Sequence, residues 1–245
     1  MKIHTHTLQG KRESNEDQHI NVLNLNNTNK DLHPINLVGV FDGHGGKIIS
    51  KYLKNNLPKY ILKKSNNINI YQEKNSVVTK FFGTLYDKIQ EKISRDHPIS
   101  SKRCGSTALC GIHYNDRNNN PRLWMLNVGD SRAVLCNHKN MTIPLTIDHK
   151  PNLTSERKRI EQLGGRIKFD GSDWRIKDLS LSRAFGDIDT SPYVTHKPDI
   201  SKVKLNKKVK FIIFACDGLW DVLTNNQAVN FVNRELKKNS KNNNI

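Results

Sequence analysis

No stretch of this 245-residue sequence approaches the ~20 consecutive apolar residues that a helix needs to cross a bilayer. The first residues, Met1-Lys2-Ile3-His4-Thr5-His6, hold no apolar signal-peptide core. Secretion and a membrane span are not expected, and the chain reads as intracellular, cytoplasmic or nuclear. Cysteine is scarce: Cys104, Cys110, Cys136 and Cys216 are the only four, and none forms a C-x-x-C pair. That spacing argues against structural zinc and for small buried hydrophobes in a reducing compartment. Acidic residues number 23 against 40 basic ones, a formal net charge of +17. Such a charge attracts nucleic acid or anionic surfaces. The positive residues are spread along the chain, however, and Lys and Asn recur together at Asn24–Lys30, Lys63–Asn69 and Lys237–Asn244. A specific nucleic-acid interface is not expected from so even a distribution. No internal repeat and no Pro- or Gly-rich linker divides the chain.

What is present is a set of short apolar runs with clear punctuation. Ile35–Phe41 reads as a strand that stops at Asp42-Gly43. Lys47–Lys63 carries a helical stripe, with Pro58 expected at a break or a new first turn. Ser76–Asp96 places Val77, Val78, Phe81, Phe82, Leu85, Ile89 and Ile93 on one face of a helix that His97-Pro98 ends. Ser106–Tyr114, Leu123–Val128, Ala133–Cys136 and Phe211–Cys216 read as strands, and Thr154–Leu163 as a short helix closed by Gly164-Gly165. Thr224-Asn225-Asn226-Gln227 has the capping-box pattern and opens a last helix through Leu236, followed by a polar, frayed tail over 237–245. The Asn-rich stretches 24–30, 65–69 and 115–120 read as surface loops. Helices come in groups and do not alternate with single strands, which argues for an α+β fold on mainly antiparallel sheets.

Two strands end alike. One delivers Asp42 and then Gly43; the other delivers Asp217 and then Gly218. A core strand holds its last side chain rigidly, and a following glycine leaves the backbone carbonyl open to a ligand. Taken alone, an Asp-Gly pair is an ordinary turn. Two such strands side by side would bring carboxylates together, an arrangement that repels unless a cation intervenes. Oxygen ligands of this kind suit Mg²⁺ or Mn²⁺ better than zinc. A cysteine or aspartate nucleophile is not indicated: no cysteine stands in C-x-x-x-x-x-R, and Asp42 is not in a D-x-D pair.

Other acidic positions extend the pattern. The stretches R-x-x-x-E-D (from Arg12), V-F-D-G-H-G-G (from Val40), G-S-T-A (from Gly105), N-V-G-D-S-R-A (from Asn127), D-H-K-P (from Asp148), L-S-R-A-F-G-D (from Leu181) and A-C-D-G-L-W-D-V (from Ala215) occur in that order. Together they closely resemble the metal-dependent, type 2C serine/threonine protein phosphatases, over residues 9–232. The resemblance implies a four-layer α-β-β-α sandwich and a catalytic domain over 1–236. It implies that Asp42 bridges two Mg²⁺ or Mn²⁺ ions, that the Gly43 carbonyl binds one and that Asp217 binds the other. Glu16, with Asp17, would hold metal-bound water, Arg12 would bind the substrate phosphate, and His44 would protonate the leaving oxygen. Asp130 and Asp221 would act behind these or at a weaker third metal position, with Thr107 close by. Arg183 and Asp187 would be structural. His4, His6 and His196 read as surface residues.

The chemistry fits those roles. Paired divalent ions lower the pKa of a bridging water enough to make hydroxide at neutral pH. A planar Arg fork suits phosphate, and a His pKa near working pH suits a general acid. The implied partner is a phosphoprotein. The chain departs from the family in a minor way at Asn15, where Met is common, and in a larger one: it has no Asp-Asn pair and no Asp after Asp221, where the family has a further ligand and a last strand. The expectation is weaker binding of one ion and an open sheet edge on an otherwise monomeric chain. Three readings stand open: an active enzyme, a phosphoprotein-binding relative without turnover, and a fragment completed from elsewhere. A basic nucleic-acid binder is the remaining class.

Overall fold

A computed structural model describes residues 1–26, 34–65, 74–116 and 118–242. The chain runs through β1 (Gln18–Val22), β2 (Asn36–Phe41), α1 (Ile48–Ser65), α2 (Asn75–Asp96), β3 (Ala108–Asn115), β4 (Pro121–Val128), β5 (Arg132–Asn137) and β6 (Thr142–Pro144). It continues through α3 (Thr154–Gln162), β7 (Asp199–Lys204), β8 (Val209–Ala215) and α4 (Asn225–Asn242). One antiparallel sheet has the order β1-β2-β3-β4-β7, and a second has the order β8-β5-β6.

Period-two alternation decides which layer each side chain joins. Along β3, Ala108, Cys110, Ile112 and Tyr114 face a core shared with Leu53 and Leu57 of α1 and Phe82 and Ile89 of α2. Leu109 faces the other way, into a second core with Leu123 and Met125 of β4, Ala133 of β5, and Ile212 and Phe214 of β8. The alternate residues of the second sheet, Val134, Cys136, Phe211 and Ile213, meet Ala228 and Val229 of α4. The result is an α+β sandwich of four layers, helices–sheet–sheet–helix. Each fully buried Leu, Ile or Phe contributes roughly 1.5–3 kcal/mol.

Several details differ from the sequence expectation. Pro58 lies inside α1 and does not break it. Ile49, Leu53, Leu57 and Ile61 are buried on both sides of it, and this packing outweighs one lost backbone hydrogen bond. Val77 is exposed, because it lies off the stripe that buries Val78, Phe82, Leu85 and Ile89. The strand from Ser106 is interrupted at Thr107. The last helix runs past Leu236 to Asn242, well into the stretch read as a tail. His196 is half-buried, with Nε2 2.8 Å from Asp87 Oδ1. Within the Asn-rich loops, residues 27–30, 66–69, 117 and 243–244 lie outside the described residues. Among the described residues no strand follows Ala215, and β8 has a neighbour on one side alone. No described helix is long and apolar enough to cross a membrane.

Candidate functional site

The site forms where β2 and β8 end. Asp42 follows Phe41 directly, and Asp217 opens the single helical turn Asp217–Trp220 beyond Ala215. That turn is pinned by the Trp220 indole, whose Nε1 donates to the carbonyls of Ala215 at 3.0 Å and Arg132 at 3.1 Å. Asp42 is pinned just as firmly. Its N–H donates to Thr107 Oγ1 at 3.0 Å, its carbonyl accepts from the Thr107 N–H at 2.8 Å, and Thr107 Oγ1 lies 2.8 Å from Ser131 Oγ. Thr107, which interrupts a strand, is thus the clamp that orients the Asp42 backbone.

Four carboxylates converge on this point. Burial first, then the charges of Asp217, Asp17 and Asp130 and a hydrogen bond to Asp217, push the Asp42 carboxyl up to about 9. The chain has built a cluster that needs positive charge. Ligand atoms of Asp17, Asp42 and Cys216 lie within 4.8 Å of one another, a spacing that could hold a metal ion. The donor set is mostly hard carboxylate oxygen, which fits Mg²⁺ or Mn²⁺. Cys216 is the exception. Its thiol donates to Asp17 Oδ2 at 3.1 Å, and burial and the Asp17 charge push its pKa well up, so the proton stays on sulfur. Cys216 therefore belongs to the site and is not merely a small buried hydrophobe. All four cysteines are free.

Gly43 is required by space. A Cβ there would meet the Glu16 carbonyl oxygen at 2.6 Å and Ser50 Oγ at 2.8 Å. Ser50 Oγ in turn donates to that Glu16 carbonyl at 2.5 Å, which ties the segment carrying Glu16 and Asp17 to the start of α1.

His44 is placed by a small sheet of two-residue strands. Gly43–His44 pairs with Gly105–Ser106, which pairs with Phe185–Gly186. His44 Nε2 then lies 2.7 Å from Asp187 Oδ2, and Asp187 is 2% exposed. Burial pulls the His44 pKa down, but the hydrogen bond and charge of Asp187 outweigh it, and the net shift is upward.

Asp130 stands at the turn after β4, buried, with Lys150 Nζ 2.6 Å from its Oδ2. Burial raises its pKa and Lys150 opposes the rise. Asp221 is exposed one turn beyond Asp217, its carboxyl raised by partial burial and by the Asp217 charge. Arg12 is exposed on the loop before Glu16, with no side-chain partner among the described residues. Arg183 lies apart from the cluster. It pairs with the buried Glu156 at 2.6 Å and with Asp199 at 2.7 Å.

The structure thus gathers Asp17, Asp42, Asp130 and Asp217 into one cluster, with His44, Glu16 and Asp221 near it, whereas Arg12, on an exposed loop, makes no side-chain contact with it among the described residues. Sequence reasoning missed the site contacts of Lys150, Asp187 and Cys216. Each stood inside a quoted motif, but its partner lies far away in the chain.

The whole chain, residues 1–245, matches the family described as Protein phosphatase 2C. It is 38% identical over 221 residues to "Probable protein phosphatase 2C 45" of Oryza sativa subsp. japonica, covering 90% of this chain and 72% of that one. It is 35% identical to "Protein phosphatase 1L" of Bos taurus, covering 96% of this chain and 64% of that one. Among solved structures, the serine-threonine phosphatase 2C from Toxoplasma gondii superposes with a TM-score of 0.78 at 21% identity, over 94% of this chain and 82% of that one, a likeness of fold. The chain thus spans 72% and 64% of the length of these two relatives.

Proposed function

The chain belongs to the protein phosphatase 2C family, and from that premise we propose that it hydrolyses phosphoserine and phosphothreonine in proteins with Mg²⁺ or Mn²⁺ at the Asp42 cluster. The observation that carries this reading is the convergence of Asp17, Asp42, Asp130 and Asp217, which leaves the Asp42 carboxyl at about 9 until positive charge arrives. When bound, the two ions would supply Lewis acidity and an activated water.

The residues of the chain do the rest. Asp42 and Asp217 hold the ions from two rigid strand ends, with the Gly43 carbonyl beside them, and Glu16 and Asp17 complete the acidic rim. Arg12, exposed and with no side-chain partner among the described residues, receives the phosphate through two parallel N–H donors. His44 carries a proton to the leaving serine or threonine oxygen, and Asp187 holds the ring in place for that transfer. Thr107 keeps Asp42 aimed, and Asp130 and Asp221 act behind the ions or at a third one.

The test is phosphate release from a phosphoserine peptide with Mn²⁺, comparing wild type with Asp42→Ala. Equal rates would overturn the enzymatic reading.

A further inference from the structure

We propose that Lys150 is a tethered counter-cation that occupies the third metal position of the site, so that a divalent ion reaches Asp130 only by displacing it. This rests on the metal reading above and concerns what governs ion binding there.

The Lys150 ammonium lies 2.6 Å from Asp130 Oδ2, and the two side chains are 27% and 3% exposed. No other side chain pairs with the Asp130 carboxylate among the described residues. The charges of Asp217 and Asp221 also act on the ammonium.

The ammonium is not a surface side chain that drifted inward, because its loop is bolted to the Asp130 turn. His149, fully buried, donates its N–H to the Gly129 carbonyl at 3.0 Å and accepts the Gly129 N–H on ring Nδ1 at 3.1 Å. The His149 carbonyl is held by the N–H of Ser182 at 2.8 Å and by its hydroxyl at 3.0 Å. On the other flank Asp148 is gripped by Arg132 through two bonds of 2.9 and 2.6 Å. Residues 148–150 therefore deliver a single positive charge at a fixed place.

A divalent ion binding the same oxygen at ~2.1 Å would crowd an ammonium at hydrogen-bonding distance, and like charges that close exclude one another. Occupancy by Lys150 keeps Asp130 charge-balanced when ion concentration is low. It also sets a threshold concentration for filling the position.

The experiment is Mn²⁺ titration of the full chain by calorimetry, with wild type, Lys150→Met, Asp130→Asn and the double variant. Lys150→Met is expected to gain an ion, or to tighten the weakest one by about tenfold or more. Adding Asp130→Asn removes that gain, whereas Asp130→Asn in the wild-type background costs no bound ion. Unchanged binding in Lys150→Met overturns the proposal. So does loss of a bound ion in Asp130→Asn alone, a result that needs no Lys150 variant to fold. If wild type binds Mn²⁺, Asp42→Ala abolishes that binding and Lys150→Met changes nothing, only the Lys150 assignment fails. If no variant binds Mn²⁺, the metal reading fails with it.

Discussion

The His44 Nε2 atom lies 2.7 Å from Asp187 Oδ2, although the two residues are 143 positions apart in the chain. The contact is made by three two-residue strands that place V-F-D-G-H-G-G, G-S-T-A and L-S-R-A-F-G-D side by side. Gly105 is obligatory between them, since any Cβ there would collide with both His44 and Asp187. Asp187 is therefore a positioning residue for the proposed acid. Replacing it by Ala is expected to lower kcat about 10²- to 10⁴-fold with KM little changed. An Asp187→Ala enzyme with wild-type kcat would show that His44 needs no such support.

The crowding of carboxylates predicts a trade between stability and ion binding. Near neutral pH a carboxyl at about 9 folds only by taking up a proton, a cost that the neutral amide of Asp42→Asn does not carry, while the shape is kept. In EDTA it is expected to raise stability by on the order of 1 kcal/mol. It should also remove the Tm increase that Mn²⁺ confers on wild type by binding the native state. Melts of both proteins with EDTA and with Mn²⁺ measure this, and a Tm increase retained by Asp42→Asn contradicts the assignment.

Gly43 tests the geometry without touching any charge. A methyl at this position meets the Glu16 carbonyl and Ser50 Oγ well inside normal contact. Gly43→Ala is expected to destabilise by about 1–3 kcal/mol and to displace Glu16 and Asp17. Urea unfolding reads the first effect, and Mn²⁺ affinity reads the second.

Glu156 predicts an acid limb of stability away from the site. Burial raises its pKa, but Arg183 and Arg159 outweigh burial and hold it at about 2, below its ordinary 4.5. A depressed carboxylate contributes its full stability above the unfolded value and loses it as pH falls toward the folded one. Wild type should lose stability between pH 4.5 and about 2 on this account, and Glu156→Gln should show a flatter profile there. Near neutral pH Glu156→Gln is expected to cost roughly 3–5 kcal/mol, because two partly buried guanidinium groups lose their partner. Thermal melts across that range check both.

Much of this was legible in the residues. The short apolar runs Ser106–Tyr114 and Phe211–Cys216 read as strands, and strands form there, over Ala108–Asn115 and Val209–Ala215. The capping box at Thr224 is there: Gln227 Oε1 accepts the Thr224 N–H at 2.8 Å, and Thr224 Oγ1 accepts the Gln227 N–H at 3.3 Å. Two strands ending in Asp-Gly pointed to Asp42 and Asp217. Each of these signals acts over a few residues, where backbone geometry fixes which side chains meet.

What the sequence by itself determined is the set of carboxylates and the rigid strand ends that carry them. What only the tertiary structure decided is which partner each would find. Lys150 at Asp130, Asp187 at His44 and Cys216 at Asp17 join residues 20, 143 and 199 positions apart. Pro58 stays helical because a sheet lies under Leu53, Leu57 and Ile61. Such outcomes depend on strand register and on the packing of two sheets. Local propensity carries no record of either, because the free energy that selects them comes from contacts between distant parts of the chain.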